Sequence, residues 1–479
     1  MLLSSAHAQL RLTLMDVIEL AHDQSISSKQ AITVKKNAYW QYRNYKSNYN
    51  PQVVLSGSVP GYNRSVTQVV QPSGAIDYRS LKQLSSNLSL GLLQPIALTG
   101  GTISVNSSLN QFNNLLPQQA GTLNPIYSTN MVNIRLSQQI FGFNPLKWNK
   151  KTQPLVYEES KRSYVETMES ISAEATNRFF RYLTAQVNLQ IAQFNLANND
   201  TIYNIEKGRY NIGKTTKDKL LQVELQLLQS QQDVAQARLD MQTSSLRLRT
   251  YIGLRGDSTI HDLNLELPAE IPEFEVTIDK ALAYAKKNRA AYLDFELQKR
   301  QADREVERAK RSRVSTTLTA TFGLNKQADN IPDTYVQPTG QQQINLGLNV
   351  PILNWGRTKS QVMTAKANQE LTEYQIQQGV QNFEQEIITQ VSQMEVLRLQ
   401  VEITKKSAEV AQERYVVAQN RYLIGKVDIT NLNIALTQKD TARRNYLGAL
   451  NNFWTAFFNL RRLTLYDFMN DELLYQHED

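Results

Sequence analysis

Arg209-Tyr210-Asn211-Ile212-Gly213-Lys214 recurs as Arg421-Tyr422-Leu423-Ile424-Gly425-Lys426, 212 residues further along the 479-residue chain. Each copy lies in a long stretch without proline: none occurs from Leu155 to Leu267, and none from Ile352 to Asp479. Proline costs about 3 kcal/mol inside a helix, so these stretches predict long helices. Gly213 and Gly425 can take φ > 0 and end a helix, which lets the chain reverse within a few residues. Each motif therefore reads as the tip of a helical hairpin.

Heptad spacing extends along both return helices. Leu432, Leu436, Lys439, Arg443, Tyr446, Leu450, Phe453, Phe457 and Leu460 step by four and three, a seam with two polar interruptions. Leu221, Leu225, Leu228, Ala235, Leu239 and Leu246 hold a similar register. An ordinary helical bundle fits this feature. The Gln, Asn, Ser and Ala beside the seams favour longer helices with one face in water.

The repeat is larger than the tips. At the same offset, Val132-Asn133-Ile134-Arg135-Leu136 aligns with Ile344-Asn345-Leu346-Gly347-Leu348, and Ile140–Phe143 with Ile352–Trp355. Upstream, Leu12-Thr13-Leu14 matches Val276-Thr277-Ile278 at an offset of 264. The first copy thus holds 52 extra residues between about 60 and 130. Two long copies suit a duplicated domain rather than a solenoid of many short repeats.

The proline- and glycine-rich blocks between the helices read as strands. Leu88, Leu90 and Leu92 alternate with Asn87, Ser89 and Gly91; Ile103, Val105 and Leu109 with Ser104, Asn106 and Ser108. Val132, Ile134 and Leu136, and again Ile344, Leu346 and Leu348, follow the same rule; 52–59 and 315–324 are weaker examples. Lengths of about 8–13 residues suit tilted membrane-crossing strands. A soluble antiparallel sheet with one wet face has the same alternation, but here the polar positions are mostly uncharged. Tyr39, Trp40, Tyr42, Tyr45 and Tyr49 lead into the first strand, Phe141, Phe143 and Trp148 follow another, and Trp355 repeats that place. As a set they fit a membrane-interface girdle, although each alone also fits packing.

Composition removes other classes. There is no Cys, hence no disulfide scaffold, thiolate site or lipidated Cys. The four His (His7, His22, His261, His477) are scattered, which disfavours a His-rich metal site. Mean hydropathy is −0.45, with no apolar run of membrane-helix length. The net charge of +8 is mild, and Lys/Arg interleave with Asp/Glu. The basic stretch 299–313 (Lys299, Arg300, Arg304, Arg308, Lys310, Arg311, Arg313) therefore reads as a solvated helix face or a collar near lipid phosphates, not a nucleic-acid site. Lys36 and Lys46 match Arg300 and Lys310 at the 264 offset. No G-x-S-x-G, H-E-x-x-H, P-loop or dinucleotide pattern supports an enzyme. Ala6-His7-Ala8 before Gln9 reads as the end of a shortened leader peptide or as a native terminus.

The duplication, the strand pairs between long helices, the two turns and the strand exits Gln94-Pro95-Ile96…Gly100-Gly101 and Pro351–Arg357 resemble the TolC-like outer-membrane factor (outer membrane efflux protein) family over about 10–470. The resemblance implies a mixed α and β membrane protein. Its homotrimer would form a transmembrane β-barrel continued by a long α-helical periplasmic barrel. It implies no cofactor, and a passive exit duct in the bacterial outer membrane, in contact with lipid. An inner-membrane RND or ABC pump would feed it through a periplasmic adaptor, in efflux or type I secretion. The rival reading is a non-transporting trimeric coiled-coil structural or adhesive protein, which leaves the strands and the duplication unexplained.

Laid on this frame, 1–8 is a residual signal peptide and 9–50 the first-copy helix. Segment 51–144 holds first-copy barrel strands with an extra hairpin at 86–94 and 101–110. Segment 145–250 is a helical hairpin with its tip at 208–214. An equatorial linker follows over 251–276, then the second-copy helix 277–313 and strands 314–355. The second hairpin is 356–462, tip 421–427, and the tail 463–479 is equatorial. The extra hairpin raises the strand count per protomer from the family's usual four to six, unless it packs as a plug or flap. The resemblance also implies that Arg209, Tyr210, Gly213, Lys214, Arg421, Tyr422, Gly425 and Lys426 meet the adaptor. The family often closes its tip with aspartates just after the second turn. Those positions hold Asn431 and Ile434 here, so Asp218 and Asp428 become the nearby aperture carboxylates.

Overall fold

The computed structural model describes residues 10–115, 125–254, 263–268 and 271–475. The expected leader, together with His7, His261 and His477, lies outside them. In chain order the elements are β1 (Leu10–Leu12), α1 (Leu14–Gln24), α2 (Ile26–Ser47), β2 (Gln52–Val70), β3 (Ile76–Ile96), β4 (Gly101–Asn114), β5 (Ile126–Gln139), α3 (Pro145–Asn211) and α4 (Lys217–Tyr251). Then come β6 (Leu263–Leu265), α5 (Ile278–Asn288), α6 (Ala290–Arg311), β7 (Ser315–Ala328), a short turn of 3-10 helix (Pro332–Tyr335), β8 (Thr339–Asn349), α7 (Arg357–Leu423), α8 (Ile429–Thr464), β9 (Tyr466–Asp467) and β10 (Glu472–Leu473). Contacts divide the chain into two compact units: 1–37, 158–293 and 378–479 in the first, 38–157 and 294–377 in the second.

The first unit is helical. It holds α3 from residue 158 and α7 from residue 378 onward, the larger parts of two helices of 67 residues each, about 100 Å at the α-helical rise. The core joins Phe179, Phe180 and Tyr182 of α3 to Phe453, Trp454, Phe457 and Phe458 of α8, with Leu14, Val17, Ile18 and Ala21 of α1. β1 pairs in parallel with β6. The tail folds back, stacking Tyr466 on Tyr284 at 3.9 Å. Arg461 is held between Glu169 (2.9 Å) and Asp467 (2.8 Å), so two buried carboxylates share one half-buried guanidinium. His22, the one histidine among the described residues, bonds Met168 O (3.1 Å) and Ser172 Oγ (2.9 Å), a packing role.

The two helices expected to run unbroken over 12–49 and 277–313 are each split, at Ser25 and at Arg289, where the backbone is extended. These positions correspond at the 264 offset, so the break belongs to the repeat. Ser25 Oγ accepts from Ser28 N (3.0 Å) and restarts the first helix. Arginine cannot do this, and Glu166 of α3 accepts instead from Ala290 N at 2.8 Å. A second difference is Pro154, which sits inside α3 and leaves the Lys150 carbonyl without its helical donor.

The second unit carries one six-stranded antiparallel sheet in the order β2-β3-β4-β5-β7-β8. The expected hairpin at 86–94 and 101–110 is β3–β4, paired from Gln83/Asn114 to Ile96/Gly101. β2 and β3, at 19 and 21 residues, are much longer than the alternation suggested. Past Arg64/Lys82 they continue as a two-stranded ribbon. β2 accommodates Pro60 at a register shift between Ser58 and Gly61, as an edge strand can.

Candidate functional site: the apolar sheet face and the hairpin tips

Cross-strand register sorts the sheet's side chains, because directly paired residues share a face. The chain of partners Leu55–Leu90, Val53–Leu92–Val105–Ile134–Phe322 and Leu136–Ala320–Ile344 keeps apolar residues on one side across all six strands. Leu318–Leu346 and Thr316–Leu348 extend it. Most of this face is uncovered, with Leu55, Leu346 and Leu348 each about two-thirds exposed, while the 3-10 turn covers its end at Thr129 through Thr334 O (2.9 Å). The opposite face pairs Ser89–Ser108, Gly91–Asn106–Asn133, Ser104–Arg135–Thr321 and Thr319–Asn345. Arg135 is the only charge among its described residues between Gln52 and the Asn63–Gln83 pair. A broad exposed apolar face over a polar one with a single charge suits a wall with lipid on one side and water on the other. No helix among the described residues is long and apolar enough to cross a membrane.

The expected aromatic girdle divides. Tyr42 stacks on Tyr157 at 4.6 Å and on Tyr45 at 5.7 Å, Tyr45 meets Tyr49 edge-on, and Tyr39 touches Tyr157 at 6.4 Å. These rings pack α2 against α3. Tyr49 Oη donates to Leu146 O (2.8 Å), tying the start of α3 to the end of α2. Phe143 lies under Arg304, and Trp148 under Lys151 at 4.8 Å. Trp40, Phe141 and Trp355 stand outward, Trp355 at 91% exposure beside the bare Ile352 and Leu353. The basic stretch on α6 is largely neutralised along its own helix, Arg308 by Glu305 (3.4 Å) and Arg311 by Glu307 (2.7 Å), with Arg300 on Glu296.

Both tips close with the same backbone device. Gly213 and Gly425 each have φ of +72°. Lys214 N donates to Arg209 O (2.8 Å), and Lys426 N to Arg421 O (2.9 Å). These are Schellman closures in which glycine supplies the left-handed residue. A Cβ at either glycine would meet nothing within 4 Å, so conformation and not space selects it. Thr216 caps α4, and Asp428 caps α8 by accepting from Asn431 N at 2.9 Å. The two caps correspond at the 212 offset.

The tips are unequal in their side chains. Tyr210 is 40% exposed and Tyr422 3%. Tyr422 Oη donates to Glu206 Oε1 (2.9 Å), Arg209 bonds the same carboxylate (2.7 Å), and the guanidinium lies over the Tyr422 ring. Burial works to raise the Glu206 pKa, but the bonds from Tyr422, Arg209 and Thr215 outweigh it and hold the carboxyl below its ordinary value. Burial and Glu206 push the Tyr422 phenol up. Around this cluster pack Ile202, Val223, Tyr415, Ile429, Leu432 and Leu436, joining the two hairpins.

Sequence reasoning missed Glu206. Its counterpart in the second copy is Ala418, so a break in the repeat one turn before the motif marks it. It also missed Ile212 and Ile424, matched residues at the apexes that are 68% and 66% exposed. Of the expected aperture group, Asp218 is exposed in the first turn of α4, Asp428 and Asn431 bond one another at 2.9 Å, and Ile434 is exposed.

The outer membrane efflux protein family matches residues 95–254 and 277–464. Among solved structures, the CmeC outer membrane channel of Campylobacter jejuni has a TM-score of 0.68 at 16% identity, covering 97% of this chain and 87% of that one. A membrane protein from Pseudomonas aeruginosa gives 0.66 at 14% identity, with 94% and 90% covered. The open Neisseria gonorrhoeae MtrE outer membrane channel gives 0.61 at 17%, with 94% and 88% covered. At these identities the likeness speaks for the fold. No curated protein matches. The family match takes in well over half the chain, in line with the repeat and the sheet: this protein belongs to the outer membrane efflux proteins, and is an outer-membrane efflux channel.

Proposed function

We propose that three copies form a passive exit duct. Their sheets close into a barrel in the outer membrane, and their helical hairpins form a tunnel through the periplasm. An RND or ABC pump in the inner membrane drives export through a periplasmic adaptor. The observation that carries this reading is the exposed, mainly apolar face running across six strands, bounded by two edges, β2 and β8, that no other strand among the described residues covers. Bare edges are a liability unless something pairs them, and other copies of the chain supply partners in register. The leucine stripe of α4 supports the same assembly: Leu221, Leu225, Leu228, Leu239 and Leu246 are 47–68% exposed, while α4 turns Val223, Ser230 and Ala237 inward.

The tips are the adaptor contact. Ile212 and Ile424 form paired apolar knobs there, flanked by Lys214, Lys426 and Tyr210, with Arg421 alongside and Gly213 and Gly425 shaping the turns. Tyr422 and Arg209 lie behind them, tying one hairpin to the other through Glu206. Asp218 and Asp428 are the aperture carboxylates, with Asn431 and Ile434 on the same stretch of α8. Trp40, Phe141 and Trp355 anchor the lipid interface. A coiled-coil adhesive protein would have no use for the apolar sheet face.

Fractionation with gel migration tests this. The expected result is an outer-membrane protein that runs as a trimer unheated and as a monomer after boiling. A monomer washed off the membrane by salt would contradict the proposal.

A further inference from the structure

The two repeats differ in one way that sets the width of the pore. In the second repeat, β7 pairs directly with β8. Their counterparts are β2, at the 264 offset, and β5, at the 212 offset, yet β2 and β5 do not touch. The 52 extra residues of the first repeat stand between them as β3 and β4. This hairpin is built into the wall. β3 is paired along its length with β2, and β4 pairs with β3 and β5 from Thr102 to Phe112. It also obeys the two faces of the sheet. Leu88, Leu90, Leu92, Ile103 and Val105 join the apolar side, and on the polar side Asn130 donates to Ser108 Oγ at 2.9 Å. A plug or flap would have to give up these ladders and leave β2 and β5 bare.

We infer that each copy contributes six strands to the barrel, so that three copies close an eighteen-stranded wall instead of the twelve that two bare strand pairs per copy would give. Six is even, so β8 of one copy runs antiparallel to β2 of the next and the alternation survives closure. Barrel diameter grows roughly linearly with strand number, which makes the bore about 1.5-fold wider than the twelve-stranded alternative. The wall is Ser, Thr, Asn, Gln and Gly with one Arg135 per copy. It is suited to bulky polar or amphipathic cargo and sieves little by charge. Size selection then falls to the hairpin tips. This inference rests on the trimeric reading above.

Single-particle imaging of the full-length protein in lipid nanodiscs decides it. The expected result is eighteen strands, with β3 and β4 in the wall of every copy. A trimer with twelve strands and β3–β4 folded outside overturns this inference alone. A particle with no membrane barrel overturns it together with the proposed function. Neutral polymers of graded size, added from the barrel side of a planar bilayer, give a second measure. A variant in which β2 joins β5 through a short turn should exclude polymers of about two-thirds the radius that the native protein admits. An unchanged cut-off in a correctly inserted variant overturns the inference.

Discussion

α4 and α8 are return helices of the two repeats, and both carry apolar residues at heptad spacing. On α8, Leu432, Leu450, Phe453, Phe457 and Leu460 are at most 1% exposed. On α4, Leu225 is 68% exposed and Leu246 66%. Heptad spacing therefore reports that a helix has a seam, and says nothing of which chain fills it. α8 spent its seam on the core of its own chain. α4 turns small residues inward, where Ser230 Oγ takes a 2.6 Å bond from Asn199, and leaves its leucines exposed, the stripe proposed above to meet a neighbouring copy.

The most severe way to break this contrast is to charge both seams. Leu225→Asp with Leu239→Asp should abolish the trimer, since each isolated carboxylate buried at a subunit seam costs several kcal/mol, while far-ultraviolet circular dichroism keeps its helical signal. Phe453→Ala on α8 should instead lower the stability of each chain by about 3–5 kcal/mol in denaturant titration. A trimer that survives the α4 pair would reassign that stripe to water.

The sheet offers the same contrast between faces. Leu346→Arg on the apolar side should cost about 2–4 kcal/mol of folding into lipid vesicles, as charges do on a lipid face. Its neighbour Asn345→Arg, on the polar side, should cost little. Equal costs would mean that both faces meet water.

The tips differ in their buried side chains, and Glu206→Gln sharpens that. Losing a charged partner for Tyr422 and Arg209 should loosen the tips by about 1–3 kcal/mol, read as faster amide exchange over 200–215 and 415–430. The sign with pH follows from the lowered Glu206 pKa. Its contribution is full above the ordinary carboxyl value of 4.5 and is lost as acidification passes through the lower folded value. Acid exchange data should show this loosening in the native protein and not in the variant. The smallest effect belongs to the aperture carboxylates. Asp218→Asn with Asp428→Asn should weaken block of current by multivalent cations from the tip side. Asparagine caps a helix as well as aspartate does, so α8 stays intact. Unchanged block removes both residues from the aperture.

Much of this architecture was legible in the sequence wherever a local rule acts alone. Proline-free stretches marked α3, α4, α7 and α8, alternation marked four strands clearly and two weakly, and the glycine turns marked both tips. What was hidden depended on partners far along the chain. The break at Arg289 needs Glu166, over a hundred residues away, whereas its counterpart at Ser25 is capped locally by Ser25 Oγ on Ser28 N. The outer halves of β2 and β3 carry weak alternation and a proline, and are strands because each pairs with the other. Tyr210 and Tyr422 hold the same place in the two motifs, and which one is buried depends on packing between the hairpins and on Glu206, which stands where the second copy has Ala418.

The central claim, that of the proposed function, is that three copies of this chain make a channel, with Glu206 bracing its tips. Conductance of the purified trimer in planar bilayers, native against Glu206→Gln, tests that claim most directly. The account predicts current from the native trimer and larger current from the variant, whose tips are less tightly tied. A trimer that inserts yet carries no current in either form would contradict it.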